Sequence, residues 1–124
     1  MDQVKLPAAV LAACTDELEI EVVTTRPDGT PRRTVVWPVV QDGVAYLRSY
    51  RGRAGKWYQE ALAHPEASLG VGGRDEPVRL VPATDPGSVA ACSAALARKY
   101  RGDGSLPAML VDDVLPTTLR IEPR

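Results

Sequence analysis

Three consecutive stretches of alternating residues, joined by two very short turns, constrain this chain more than any other feature. Glu17 to Thr25 sets Leu18, Ile20 and Val22 on one side and Glu19, Glu21 and Val23 on the other, the period of a strand. Arg26-Pro27-Asp28-Gly29 turns the chain, because Pro presets φ and Gly accepts φ > 0. Arg32 to Val40, rich in β-branched residues and carrying Trp37, reads as a second strand. Gln41-Asp42-Gly43 is a hairpin turn, and Val44 to Tyr50 a third strand. Links this short leave no room for a crossover helix, so the three strands pair antiparallel.

The rest of the chain adds short helices and more strands. Pro7 to Cys14 is Ala-rich and helical, ending at Thr15 and Asp16. Lys56 to His64 pairs Trp57 with Ala61 and Tyr58 with Leu62 at i,i+4, and Pro65 stops it. Ala67 to Val71 and Pro77 to Val81 are strands flanking Gly72-Gly73. Asp85 suits a helix N-cap and Pro86 the first helical position, with Val89, Cys92, Leu96 and Tyr100 as the apolar stripe. Leu106 to Leu115 is apolar with Pro107 and Pro116 near its ends, a candidate buried surface in a dimer; Thr117 to Ile121 is the last strand. The order α-β-β-β-α-β-β-α-β predicts an α+β protein: a six-stranded antiparallel barrel, closed or partly closed, with short flanking helices. The 124 residues read as one domain spanning 1–124, long enough to bury roughly two-thirds of the unfolded surface.

Composition removes several function classes. Fifteen Lys and Arg against sixteen Asp and Glu leave a formal net charge of −1, without the basic field of a nucleic-acid binder. No apolar run approaches the roughly 20 residues that span a bilayer, so no membrane role is expected. Met1 to Ala13 lacks the basic-then-apolar order of a signal peptide. Cys14 and Cys92 are far apart, without metal-ligand spacing, and read as reduced thiols of a cytoplasmic protein. A single histidine, His64, argues against a His-based metal site, and no metal ligand is assigned. At a helix end before Pro65 it reads as a charge complement to the helix C-terminus. Gly70, Gly72 and Gly73 read as a turn with a bulge rather than a phosphate loop, since no Lys-Ser/Thr follows. Asp112-Asp113 reads as loop.

One segment concentrates the chemistry. Arg32, Arg33, Arg48, Arg51, Arg53 and Lys56 are six of the fifteen bases. If the barrel brings the start of strand two near the loop after strand three, they make a basic pocket in a neutral protein. Ser49, Gly52, Gly55 and the first turn of the Lys56 helix add hydroxyl and N–H donors, the set that suits a phosphate; the alternative is a solvated surface paired with Glu60, Asp75 and Glu76. Trp37, Tyr50, Trp57 and Tyr58, four of the six aromatics, lie in the same segment. Trp37 reads as core; Trp57 and Tyr58 suit core or a planar ligand equally.

Pro31-Arg32-Arg33-Thr34-Val35-Val36-Trp37, Tyr46-Leu47-Arg48-Ser49, Gly55-Lys56-Trp57-Tyr58 with Leu62-Ala63-His64-Pro65, Ser68 to Gly73, and Thr118 to Pro123 resemble the strands and helix of the flavin and deazaflavin split-barrel oxidoreductases. That superfamily includes the deazaflavin-dependent nitroreductases and, more distantly, pyridoxamine phosphate oxidase; the likeness is closest to a small bacterial group within it. The resemblance implies a six-stranded split barrel, a homodimer and a cofactor groove near the dimer interface. It implies that Arg32, Arg33 and Thr34 line the groove, that Arg48, Ser49 and Lys56, with Arg53 beside them, hold the cofactor phosphate, and that Trp57 flanks the cofactor. The implied reaction is hydride transfer between coenzyme F420 or FMN and a small acceptor. No catalytic acid or base is singled out; Tyr50 and Tyr100 are both available hydroxyls. The alternatives are a flavin- or haem-binding module without turnover and an interaction domain without cofactor. At the first turn, where nitroreductase-like members carry Gly-Arg-Lys-Ser/Thr-Gly, this chain has Thr25-Arg26-Pro27-Asp28-Gly29.

Overall fold

A computed structural model describes residues 5–124; the first four residues of the Met1 to Ala13 segment lie outside it. The elements are α1 (Ala8–Asp16), β1 (Ile20–Thr25), β2 (Pro31–Val36), β3 (Val39–Gln41), β4 (Val44–Leu47), α2 (Lys56–Ala63), β5 (Glu66–Val71), β6 (Arg74–Pro82), α3 (Pro86–Lys99) and β7 (Leu119–Pro123). All strands join one antiparallel sheet in the order β2-β1-β5-β6-β7-β4-β3.

That order forces the curl. β2 and β3 are opposite edges of the sheet, yet only Trp37 and Pro38 separate them in the chain. Three Cα steps reach about 11 Å, whereas seven strands laid flat put the outer ones about 29 Å apart. The sheet therefore wraps into a half-barrel split between β2 and β3. The fold is the expected α+β split barrel, with one correction. The second expected strand, Arg32 to Val40, is two strands, which makes seven rather than six. Pro38 lacks an N–H for a ladder, so the chain leaves one edge there and begins the other.

Ends move for similar reasons. β1 begins at Ile20, because α1 runs on to Asp16 and the Glu17 N–H still donates to the Ala13 carbonyl; Leu18 is exposed. β4 stops at Leu47, where Arg48 and Ser49 leave the ladder for side-chain partners. The last strand begins at Leu119, since Leu115–Thr117 form a 3-10 turn. Asp42 and Gly43 both have positive φ and link Gln41 to Val44, the turn that matches strand twist. Gly72 and Gly73 link Val71 to Arg74 likewise, in unbroken register, so this turn carries no bulge.

The barrel core holds Val22, Leu47, Leu69, Val78, Leu80, Leu119 and Ile121, closed at one end by α2 through Trp57, Tyr58 and Ala61. A second core lies between α3 and β3–β4, from Val39, Tyr46, Cys92, Leu96, Tyr100 and Met109. Asp85 caps α3 by accepting from the Ser88 N–H at 3.0 Å. Leu106 to Leu115, expected as a dimer surface, spends Met109 and Val114 on the chain's own interior and leaves Val111 exposed. Among the described residues no helix is long and apolar enough to cross a membrane.

Candidate functional site

The split between β2 and β3 opens into a cavity of about 670 Å³. Of the expected site residues, Arg32, Thr34, Arg48, Ser49, Lys56 and Trp57 line it. Arg33 and Arg53 do not. Side chains alternate along β2, so Arg33 lies apart from Arg32 and pairs with Glu21 at 3.2 Å and with Asp75. Arg53 is exposed, and its carbonyl accepts from Gln59. Arg51 and the acids Glu19 and Asp103 also line the cavity.

The bases differ in what they have left to offer. Arg48 is 2% exposed. Its Nε donates to Thr118 Oγ1 at 3.0 Å, Nη1 to Ser93 Oγ at 2.9 Å and the Met109 carbonyl at 3.0 Å, and Nη2 to the Val89 carbonyl at 3.1 Å. Four of its five N–H donors thus brace α3 and the 3-10 turn Leu106–Met109 against the barrel. Burial pushes its guanidinium below the usual arginine range. Burial likewise pushes the neighbouring Cys92 thiol up to about 11, while Arg48 pulls it down. Ser49 donates through Oγ to the Gly52 carbonyl at 2.7 Å, and its N–H donates to Thr117 Oγ1 at 3.0 Å. These bonds shape the loop after β4.

Gly55 seals that loop. A Cβ there would sit 2.3 Å from Ser49 Oγ, although φ of −62° is open to any residue. Gly55→Ala is therefore expected to lower stability by about 1–3 kcal/mol through crowding, read from denaturant midpoints.

Arg32 is held at one edge. Its Nε donates to both oxygens of Glu60, at 2.9 and 3.0 Å, and Glu60 Oε1 also accepts from Thr24 Oγ1 at 2.9 Å. Burial pushes the Glu60 carboxyl up, but hydrogen bonds from Arg32 and Thr24 and the Arg32 charge outweigh it and hold it below its ordinary value. A depressed carboxyl stabilises the fold above the unfolded value of 4.5 and loses that contribution as pH falls through the folded value. Glu60→Gln is thus expected to be less stable than the wild type at pH 7, with the gap closing in acid. A gap unchanged from pH 7 to pH 3 in thermal melts would contradict the pairing.

Lys56 and Arg51 are exposed, and among the described residues no carboxylate lies within 4.0 Å of either. Lys56 opens α2 on Gly55, with no side-chain cap on the helix N-terminus. Opposite in character is an aromatic wall. Trp37, expected in the core, is half-buried, lines the cavity and stacks on Tyr100 at 4.0 Å and 5°. Trp57 is buried and meets Tyr58 edge-on at 6.5 Å. Tyr50 lines the cavity and is 58% exposed. Tyr100 donates its hydroxyl to the Leu18 and Pro38 carbonyls, and burial pushes its pKa up. His64 is exposed at the far end of α2 and lines no part of the cavity. Among the described residues no group of three or more His, Cys, Asp or Glu could hold a metal.

Residues 10–121 match a family of bacterial proteins described as uncharacterized and conserved, DUF2255. The chain belongs to that family. No curated protein sequence matches it. Its fold is shared by solved structures of low identity. A conserved hypothetical protein, Rv2991 from Mycobacterium tuberculosis, aligns over 100% of this chain and 83% of its own at 15% identity, TM-score 0.65. An F420 reductase aligns over 96% of both chains at 19% identity, TM-score 0.60. HutZ, the haem storage protein of Vibrio cholerae, aligns over 98% of this chain and 92% of its own at 10% identity, TM-score 0.63. At such identities the likeness is one of fold.

Glu60 was missed as a site residue in the sequence; it read only as a possible surface partner for the bases. Its signal was a charged residue within the apolar register of α2, four positions after Lys56.

Proposed function

We propose that the cavity binds a flavin-type cofactor, FMN or coenzyme F420, with its tricyclic ring along the aromatic wall and its phosphate at the start of α2. The observation that carries this is one cavity joining the flat Trp37–Tyr100 stack to the uncapped α2 N-terminus and Lys56. A helix N-terminus with an adjacent free cation favours a phosphate. A cavity of about 670 Å³ has the size of a small-molecule site. The shared fold with an F420 reductase supports the same reading.

The bound cofactor supplies hydride chemistry at its ring, for a small acceptor of apolar or quinone-like character. The chain's residues place it: Lys56 and Arg51 neutralise the tail, Trp37 and Trp57 exclude water from the ring, and Arg48 keeps the Met109 side of the wall in place. We place the working form as a homodimer, which would cover the exposed Tyr50 and Val35 at the cavity rim. Sedimentation should then give twice the monomer mass.

The haem reading rests on the likeness to a haem storage protein. The donor set does not favour a histidine-ligated haem, because the chain's one histidine is outside the cavity. The test is turnover. Pre-reduced F420 or FMN is mixed anaerobically with the protein and a quinone series, and re-oxidation is followed by absorbance. Protein-dependent re-oxidation is expected; binding without acceptor-dependent re-oxidation would leave a carrier instead of an oxidoreductase.

A further inference from the structure

The cationic residues of the cavity divide into two kinds, and the division assigns them different parts of the ligand. Among the described residues no carboxylate lies within 4.0 Å of Lys56 or Arg51, while Arg32 is already neutralised by the buried Glu60. We infer that Arg32 is the specificity-determining donor for the hydrogen-bond-accepting edge of the cofactor ring, and that it is not a phosphate ligand. This rests on the cofactor reading above.

Three observations support it. First, Glu60 takes Nε alone, with both carboxylate oxygens. Among the described residues Nη1 and Nη2 make no hydrogen bond, and Arg32 lines the cavity, its side chain 25% exposed. Four N–H donors therefore remain uncommitted in one plane, on a cavity-lining side chain that Glu60 holds through Nε. A planar donor pair matches two neighbouring acceptors in one plane, such as the carbonyl and ring nitrogen at the pyrimidine end of a flavin or deazaflavin. Second, the Arg32–Glu60 pair is close to neutral as a unit. A phosphate at Arg32 would stand near the Glu60 carboxylate without a spare cation, whereas a neutral carbonyl meets no such repulsion. Third, Lys56 and Glu60 are four positions apart on α2, which is about 6 Å along the axis. The phosphate at the first turn and the ring edge beside Arg32 are thereby separated in one direction, as a ring and its tail require. Thr24 completes the device: its hydroxyl holds Glu60, which holds Arg32, so the fork is set before the ligand arrives.

The experiment compares ligands with and without phosphate. FMN and riboflavin, and F420 and its phosphate-free ribityl deazaflavin, are titrated by fluorescence into the wild type, Arg32→Met, Arg32→Lys and Lys56→Met. Thermal melts report folding; if Arg32→Met unfolds by stranding Glu60, the pair Arg32→Met/Glu60→Gln replaces it. Losing Arg32 should weaken the phosphorylated and phosphate-free forms by the same factor, about tenfold or more. Arg32→Lys should not restore affinity, because an ammonium has no planar fork. Losing Lys56 should weaken only the phosphorylated forms. A loss at Arg32 confined to the phosphorylated ligands would overturn the inference by making Arg32 a phosphate ligand. Equal affinity in wild type and Arg32→Met would overturn it while leaving the cofactor reading intact. A wild type that binds none of the four ligands would overturn both.

Discussion

Arg48→Met is expected to be the most damaging single substitution in the cavity wall, and it acts on the fold before it acts on any ligand. It removes the donor shared by Thr118 Oγ1, Ser93 Oγ and the Met109 and Val89 carbonyls, all of which now accept from one guanidinium. Buried acceptors left without donors cost about 1–3 kcal/mol each, partly recovered where water enters, so a loss of about 3–5 kcal/mol is expected. For a chain of this length that lowers Tm by roughly 10–20 °C. Replacing a buried cation by an apolar side chain is often harmless when its partner is an ion that leaves with it. Here the partners are backbone carbonyls and hydroxyls that remain. A melting point within a few degrees of the wild type would show that the brace carries little.

The second large effect belongs to ligand binding. The double variant Arg51→Gln/Lys56→Gln should bind FMN or F420 about a hundredfold more weakly, the scale of losing charge-assisted contacts to a phosphate. Its melting point should stay within a few degrees, since both side chains are exposed and unpaired among the described residues. Raising ionic strength should weaken the wild type toward the variant. Unchanged affinity by calorimetry would remove the phosphate from this end of α2.

The contrast between Arg48 and Lys56 marks where the sequence was legible. Period-2 patterning, Asp42-Gly43 and Pro86 specified strands, a turn and a helix start, because each is a local preference read within a few residues. Pro38 was a local signal that the reading passed over: Arg32 to Val40 read as one strand, although a proline inside it marks the break that yields seven strands. The division of labour among the bases was not legible. Arg32 and Arg33 are adjacent and chemically alike, and only strand alternation sends one to the cavity and the other to Glu21 and Asp75. Arg48 and Lys56 both read as phosphate donors. What separates them is Thr118 and Ser93, 70 and 45 residues away in the chain. Glu60 looked like a surface acid until β1 and β2 supplied Thr24 and Arg32 to its carboxylate. Long-range pairings of this kind are decided by topology, and residue types alone do not display them.

The most direct test of the cofactor site uses the chain's own probes. Trp37 and Trp57 are its two tryptophans, and both line the cavity. Titrating the protein with FMN and with F420 while following tryptophan emission should give saturable, single-site quenching at micromolar ligand with one of them. Emission unchanged by both, in protein whose melting curve shows the wild-type fold, would contradict the assignment of this cavity to a flavin-type cofactor.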